Sequence, residues 1–269
     1  MEDQDKGYHI HIESAGYEKK QPILTDLSFH VSPGEMIGLI GPNGAGKSTA
    51  IKAMLGRLPY LKGTSFAQLS NLSHSSPLSD LTKEQEDETE KEPVSWSYIP
   101  EHPVYYDHLT LWEHFELMAA LHRLSPTVLE ERGNQLLKQY RLQAVKHHYP
   151  ASFSKGMRQK MMLMLGLIIR PDLYLIDEPF IGLDPRGMHL LLEQLQEEQK
   201  RGAGILLCTH VLDTAERICS RFVLLHQGSL LAQGTLDDLR ERCQSASDQY
   251  RSFTLSQCFH YLTEEMEEA

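Results

Sequence analysis

The chain has 269 residues and a formal net charge of −11, from 26 basic and 37 acidic side chains. This acidic balance argues against a general nucleic-acid binder, which usually carries an excess of lysine and arginine, so we expect no nucleic-acid partner. The length favours one large domain or a core with a subdomain, and the 41% of hydrophobic residues suffices for a sizeable core.

The N-terminal part of the chain contains three predicted strands. Residues 8–12 and 27–31 alternate apolar and polar side chains, which is typical of half-buried strands. Residues 35–40 are mostly apolar, as in a buried strand, and they lead directly into a glycine-rich loop. We expect a helix after this loop, ending at about Leu58.

Residues 63–93 differ in composition from the rest of the chain. They are rich in serine, threonine, glutamate and aspartate and contain few large apolar side chains. Such a segment cannot bury enough apolar surface to fold by itself, which predicts a solvated insertion. A tolerated surface loop and a regulatory segment both remain open.

The stretch 107–169 has a helical pattern. Thr110 and Glu113 have the spacing of a capping box, and Ser125 before a proline is a second helix start. A third helix is expected to begin near Ser154. These helices predict an all-α subdomain inserted between strands of an α/β core.

Strands and helices alternate again after the helical stretch. The predicted elements are a buried strand at 173–176, a helix from Asp184 to about Gly202, a buried strand at 204–209, a hairpin at 221–234 and a helix opened by Thr235. The remainder, residues 241–269, is a short extension with weak patterning. The alternation predicts a mostly parallel sheet with helices on both faces.

The sequence "GPNGAGKS", residues 41–48, fits the phosphate-loop pattern and lies between a predicted strand and a predicted helix. Lys47 would reach the β- and γ-phosphates, and the Ser48 hydroxyl would bind Mg²⁺. A chance glycine-rich turn is the alternative, and the flanking elements disfavour it. The residues expected to contact a nucleotide here are Gly41, Pro42, Asn43, Gly44, Ala45, Gly46, Lys47, Ser48 and Thr49.

Polar side chains follow two of the buried strands. An acid at the end of a buried strand is costly unless it has a partner, and in P-loop proteins it holds the Mg²⁺ shell, which we predict for Asp177. Glu178 comes next and is placed to orient and deprotonate a water that attacks the γ-phosphate. His210 follows the strand 204–209, and we expect it at the same edge, hydrogen-bonding the γ-phosphate.

These motifs together resemble the ATP-binding subunit of ABC transporters, over about residues 7–240. The matching segments are 41–48 for Walker A, 173–178 for Walker B, 181–184 for the D-loop, 97–101 for the Q-loop and His210 for the switch histidine. Tyr17 is in the place of the aromatic that stacks on adenine. Glu101 stands where glutamine is usual, and it can still accept from a metal-bound water, which makes it a candidate metal contact.

The stretch "FSKGM", residues 153–157 and here called the signature turn, resembles an altered form of the family's L-S-G-G-Q signature. Ser154 and Gly156 are retained, and they are the residues whose hydroxyl and backbone N–H would face a γ-phosphate. Ser154 also suits a helix N-cap, which would direct the helix dipole at that phosphate. Lys155 either adds positive charge at a closed interface or points to solvent.

The resemblance implies a P-loop NTPase core with an N-terminal antiparallel β subdomain and an inserted helical subdomain. It also implies ATP hydrolysis between two subunits that meet head to tail, each ATP lying between Walker A of one and the signature turn of the other. The second subunit would be another copy, as a homodimer, or a homologous chain. Asp184 in the D-loop is then a further nucleotide-site residue.

The resemblance further implies an integral membrane permease as partner, with this subunit peripheral at the cytoplasmic face of the membrane. The longest apolar run, 161–169, is far shorter than the roughly 20 residues that span a bilayer, and we expect no signal peptide. The sequences of the motifs resemble those of the Ecs-type branch of exporters in Gram-positive bacteria. This resemblance implies a role in the export of peptides or in protein secretion. The alternatives are a soluble ABC-type ATPase working on ribosomes or DNA, and a P-loop kinase.

Overall fold

The structure, a computed structural model, describes residues 7–63, 95–243 and 252–268. The predicted insertion lies outside the described residues, except for its first residue. The strands are β1 (Tyr8–Gly16), β2 (Leu24–Val31), β3 (Met36–Ile40), β4 (Tyr60–Gly63), β5 (Trp96–Ile99), β6 (Leu173–Asp177), β7 (Gly204–Thr209), β8 (Arg221–His226) and β9 (Ser229–Gly234). The helices are α1 (Lys47–Met54), α2 (Leu111–Leu121), α3 (Pro126–Tyr140), α4 (Lys155–Leu167), α5 (Pro185–Lys200), α6 (Leu212–Ile218), α7 (Leu236–Arg242) and α8 (Leu255–Glu268).

The described strands form one nine-stranded sheet in the order β4-β1-β2-β9-β8-β3-β7-β6-β5. Strands β8, β3, β7, β6 and β5 are neighbours that run parallel. Strands β1, β2 and β4 pair antiparallel at the other end, and β8 and β9 form the predicted hairpin. The mostly parallel sheet and the antiparallel N-terminal part are therefore confirmed.

The sheet separates two apolar cores, because successive side chains of a strand point to opposite faces. In β3, Met36 and Ile40 belong to the core that contains residues of α2 to α8, whereas Ile37 and Leu39 belong to the core that contains α1, β1 and β2. Burial on both faces explains why the central strands are almost continuously apolar in sequence.

The central strands bring their carboxyl ends to one edge of the sheet. Ile40 of β3 lies beside Thr209 of β7, and Asp177 of β6 lies beside Cys208 of β7. The phosphate loop, the carboxylates after β6 and the histidine after β7 therefore meet at one crevice.

The three predicted helices of the helical stretch are present as α2, α3 and α4. Thr110 and Glu113 exchange both bonds of a capping box at the start of α2. The hydroxyls of Ser125 and Ser154 cap α3 and α4, each accepting the backbone N–H three residues on. Local capping chemistry thus sets where these helices begin.

Helix α1 is shorter than predicted: it ends at Met54 rather than near Leu58. Gly56 has φ +65°, and the next N–H, of Arg57, donates to the carbonyl of Lys52 at 2.8 Å. This pair of features is a glycine-terminated helix end, which the apolar pattern through Leu58 concealed.

The expectation of weak patterning after residue 240 was wrong, because α8 occupies Leu255–Glu268. Thr254 and Gln257 exchange the two bonds of a capping box at its start. Leu255, Cys258 and Leu262 are buried in the same core as α6 and α7. The C-terminal segment is therefore packed on the core, and the boundary at residue 240 remains a prediction.

Candidate functional site

The phosphate loop passes from β3 into α1 through Gly46. This residue has φ +104° as the N-cap of α1 and provides no side-chain capping bond. A Cβ at this position would lie 2.8 Å from Leu24 Cδ2, so glycine is required for both conformation and space. The N–H groups of the first turn of α1 are left for an anion, and the helix dipole favours one there.

Lys47 is held at the sheet edge although it is only 6% exposed. Its ammonium group donates to the carbonyls of Gly41 at 2.8 Å and Pro42 at 3.1 Å. It also lies 3.6 Å from Glu178 Oε1. The buried charge is thus paired, as burial requires, and it is directed at the space enclosed by the loop.

Glu178, the residue directly after β6, is buried and tightly positioned. Thr209 Oγ1 donates to Oε2 at 3.2 Å, and His210 Nδ1 lies 2.8 Å from Oε1. Its φ of +45° places a non-glycine residue in the left-handed region, a conformation that costs about 1 to 3 kcal/mol. Strain of this kind concentrates at functional sites and requires surrounding contacts to maintain it.

Asp177 is a buried carboxylate with spare acceptor capacity. It is 2% exposed, and among the described residues its Oδ1 has no hydrogen-bond partner. Burial raises the pKa of Asp177, a hydrogen bond from Ser48 lowers it, and the negative charges of Glu101 and Glu178 raise it further. A cation would relieve each of the two unfavourable effects.

The residues around Asp177 suit a magnesium ion that is also bound by waters and phosphates, rather than a metal site formed by protein ligands alone. Within the described ranges no group of three or more His, Cys, Asp or Glu side chains is arranged to hold a metal. Mg²⁺ is usually bound by one or two protein ligands together with waters and substrate phosphates. The Ser48 hydroxyl and Asp177, with Glu101 nearby, provide such a partial set of oxygen ligands.

Tyr17 lies beside the helix that follows the phosphate loop. Its ring is 50% exposed, and Lys52 of α1 donates to its hydroxyl at 2.9 Å and lies 5.6 Å from the ring centroid. The ring is thereby held against α1 while half of the residue stays exposed. An exposed aromatic held in this way is suited to stack on a flat ring.

The signature turn and Asp184 form a second group, at the starts of α4 and α5. Ser154 Oγ accepts the N–H of Met157 at 3.3 Å. Asp184 caps α5 by accepting the N–H of Gly187 at 2.6 Å, and it accepts from Lys160 Nζ at 2.9 Å. Apart from Tyr17 beside α1, the site residues predicted from sequence thus fall into two groups, one at the sheet edge and one at the starts of α4 and α5.

Two contacts of this region were not anticipated from the sequence. Thr209 is fully buried and holds both Glu178 and the backbone N–H of Val211. Lys160 pairs with Asp184 across two helices. A threonine at the end of an apolar strand is a readable signal, whereas the lysine pair depends on how α4 packs against the start of α5.

Comparison with known proteins agrees with this geometry. The family described as "ABC transporter" matches residues 24–181, more than half of the chain. The chain is 46% identical over 231 residues to the uncharacterized ABC transporter ATP-binding protein YthP of Bacillus subtilis, across 86% of this chain and 88% of that one. It is 43% identical over 229 residues to the ABC-type transporter ATP-binding protein EcsA of the same organism, across 85% and 87%.

A solved structure of the ATP-binding subunit of an ABC transporter has the same fold. It superposes with a TM-score of 0.80 at 39% identity and covers 95% of this chain and 99% of the other. Proteins of this family bind and hydrolyse ATP, dimerise, and work with membrane permease components. On its sequence match and its fold alike, this chain belongs to the ABC transporter family, as an ATP-binding subunit.

Proposed function

We propose that this subunit hydrolyses ATP with Mg²⁺ to drive a membrane exporter of the peptide or protein-secretion type. The observation that carries the catalytic part is the placement of Glu178 between Lys47 and His210, at 3.6 and 2.8 Å. Beside it lies Asp177, whose Oδ1 has no partner in the part of the chain that the structure describes. Buried charges arranged in this way are costly in the free protein and suit a polyanionic substrate.

The side chains at the sheet edge take separate roles in this proposal. Glu178 orients the attacking water and accepts its proton, and His210 with Thr209 keeps the carboxylate in position. Lys47 and the N–H groups of the phosphate loop neutralise the phosphates. Ser48 and Asp177 hold Mg²⁺, with Glu101 receiving one of its waters, and the ion supplies charge neutralisation on the transferred phosphate.

The signature turn provides the other half of the site to a second copy. Ser154 and Lys155 are exposed, and the turn forms the N-terminus of the 13-residue helix α4. A helix N-terminus on the surface attracts an anion, here the γ-phosphate bound by the partner. The proposed assembly is a head-to-tail homodimer with Asp184 at the closed interface.

A cavity of about 770 Å³ beside β5 is the proposed contact with the permease. Its walls come from β5, the segment after Glu101, α2 and α4, and include Trp96, Tyr105, Tyr106, Met118 and Met162. Val104 and Tyr106 are 70% and 64% exposed, which is unusual for large apolar side chains. A helix of the permease seated here would lie next to Glu101, a candidate metal contact.

None of the described helices is both long and apolar enough to cross a bilayer. The proposal places the subunit peripherally at the cytoplasmic face, held there by the permease, as the family's work with membrane permease components suggests. The similarity to EcsA, an ABC-type transporter ATP-binding protein of Bacillus subtilis, supports the transport role. The exporter type is proposed from the resemblance of the motifs to the Ecs-type branch.

Co-purification from detergent-solubilised membranes tests the transport role. The wild-type subunit should purify with a multi-span membrane protein, and Tyr106→Asp should weaken this association without loss of ATP turnover. Tyr149→Asp is the matched control, because Tyr149 is 53% exposed and lies outside the cavity. A subunit found wholly in the soluble fraction with its membrane partner co-expressed would favour a soluble ABC-type ATPase instead.

A further inference from the structure

Lys160 joins helix α4 to the loop that follows β6. Its Nζ donates to Asp184 Oδ2 at 2.9 Å, while Asp184 Oδ1 accepts the N–H of Gly187 at 2.6 Å. The carboxylate is therefore fixed from two sides. The bond from Lys160, and then the bond from Gly187, hold the pKa of Asp184 below its usual value, so the aspartate is an anion at neutral pH.

The loop also touches the first turn of α4. We call residues 178–184 the post-β6 loop. A Cβ on Gly156 would lie 3.2 Å from the carbonyl oxygen of Gly182, so the turn and the loop are packed as closely as a glycine allows. The methylene chain of Lys155 lies over Gly182, 3.7 and 3.8 Å from where a Cβ would be. The post-β6 loop is thus in contact with the signature turn at Gly182 and with Lys160 of α4 at Asp184.

The other end of the post-β6 loop is Glu178. The N–H of Ile181 donates to the carbonyl of Glu178 at 3.3 Å, and the N–H of Leu183 donates to that of Phe180 at 3.2 Å. These two hydrogen-bonded turns restrict how far Asp184 can move without moving Glu178 as well. A displacement of α4 that reaches Asp184 therefore reaches the carboxylate beside Lys47 and His210.

We propose that Lys160 is a positioning residue that couples the signature turn to Glu178 through Asp184. The inference rests on the proposed head-to-tail dimer, in which the signature turn serves the partner's nucleotide and Glu178 serves the nucleotide of its own subunit. When the signature turn of a subunit closes on the partner's nucleotide, the movement is then transmitted to Glu178, which acts on the subunit's own nucleotide. Lys160 contacts the post-β6 loop and does not contact the phosphate loop. Its role therefore concerns turnover rather than nucleotide affinity.

The Lys160–Asp184 pair is accessible, with side chains 20% and 55% exposed, so its loss should leave the fold intact. The full-length wild-type chain and its variants are compared by ATP titration of steady-state phosphate release. Lys160→Met should lower kcat at least about fivefold, with KM within about twofold of wild type. Lys160→Arg keeps a donor at this position and should restore kcat to within about twofold of wild type.

Lys62→Met is the control for loss of a surface ion pair, because Lys62 pairs with Glu13 between β4 and β1, away from α4. It should keep wild-type kcat. Asp184→Asn retains the helix cap but not the charge, and Lys160→Met should lower kcat less in the Asp184→Asn chain than in the wild-type chain, since the two residues act as one link.

Three results would overturn the inference: wild-type kcat in Lys160→Met, equal losses in Lys160→Met and Lys160→Arg, or multiplicative losses in the double variant. Failure of the proposed function is distinguishable from these results. It would be seen as absent wild-type turnover, or as normal turnover in Glu178→Gln, neither of which depends on Lys160.

Discussion

The sheet edge and the signature turn differ in how their polar groups are satisfied. At the edge, Lys47, Asp177 and Glu178 are 6%, 2% and 5% exposed, and Glu178 has charged or polar partners within the same chain. At the turn, Ser154 and Lys155 are exposed, and the Ser154 hydroxyl caps its own helix. One region is organised by the fold itself, whereas the other presents an exposed helix N-terminus, a feature that favours anions, to its surroundings.

This difference separates the effects of substitutions that arise within one subunit from those that require two subunits. A substitution at the sheet edge changes buried charge, so it should alter the stability of an isolated chain as well as the chemistry of the dimer. A substitution at the signature turn should change stability only as any helix cap does, and its catalytic effect should require a second copy. The following substitutions separate these two kinds of effect.

The largest effect is expected for Glu178→Gln at the sheet edge. Loss of the general base should lower kcat by at least about 100-fold, while ATP binding persists because Lys47 is unchanged. Phosphate release and nucleotide binding by fluorescence measure the two properties. Glu198→Gln is the control, since Glu198 is also buried but pairs with Arg170 and Arg201 instead. Near-normal turnover in Glu178→Gln would contradict the assignment.

A smaller loss is expected for His210→Ala. His210 lies 2.8 Å from Glu178 Oε1, and removing a hydrogen bond to a charged group should lower kcat roughly 10- to 100-fold. His189→Ala removes a similar but exposed pairing, 3.2 Å from Glu193, and should leave turnover unchanged. Equal activity of the two variants would show that the sheet edge does not depend on His210.

The signature turn is tested by Ser154→Ala against Ser125→Ala. Both hydroxyls cap a helix by accepting an N–H at 3.3 Å, so each variant should lose about 1 kcal/mol of stability. Ser154→Ala alone should lower kcat/KM, by about tenfold, because it also loses a bond to phosphate. Denaturant unfolding and ATP titration measure both quantities. Equal kcat/KM in the two variants would remove the signature turn from the site.

The smallest effect concerns stability at Asp177. Burial and neighbouring acids make this ionised carboxylate unfavourable in the nucleotide-free chain. Asp177→Asn should therefore raise the free energy of unfolding, by about 1 kcal/mol, and abolish the added stabilisation by Mg²⁺ with ATP. Thermal unfolding with and without Mg²⁺ and ATP checks both effects. Destabilisation of the nucleotide-free variant would mean that the carboxylate is better satisfied than its contacts indicate.

The sheet-edge site was predictable because its determinants are local in sequence. Parallel strands end at the same edge, so polar residues directly after buried strands, such as Asp177 and His210, must meet there. Helix starts at Thr110, Ser125 and Ser154 were equally predictable, since capping depends on a few adjacent residues.

Other features depend on packing, which a local pattern does not encode. The left-handed φ of Glu178 is maintained by contacts with β7, and the Lys160–Asp184 pair requires α4 to lie beside the start of α5. Helix α8 is different, because its capping box at Thr254 and Gln257 was present in the sequence and was overlooked. Its packing on α6, α7 and β9 could not have been read from that box.

The most direct test of the two-copy site is complementation between inactive variants. Lys47→Ala removes the phosphate-binding lysine and leaves the signature turn, whereas Ser154→Asp keeps the helix cap but repels a phosphate at the turn and leaves the phosphate loop and the post-β6 loop unchanged. Each variant alone should be inactive. A head-to-tail dimer predicts that mixing them restores turnover, because each heterodimer contains one complete site. Absence of any recovered activity in mixed dimers that are shown to form would contradict the account.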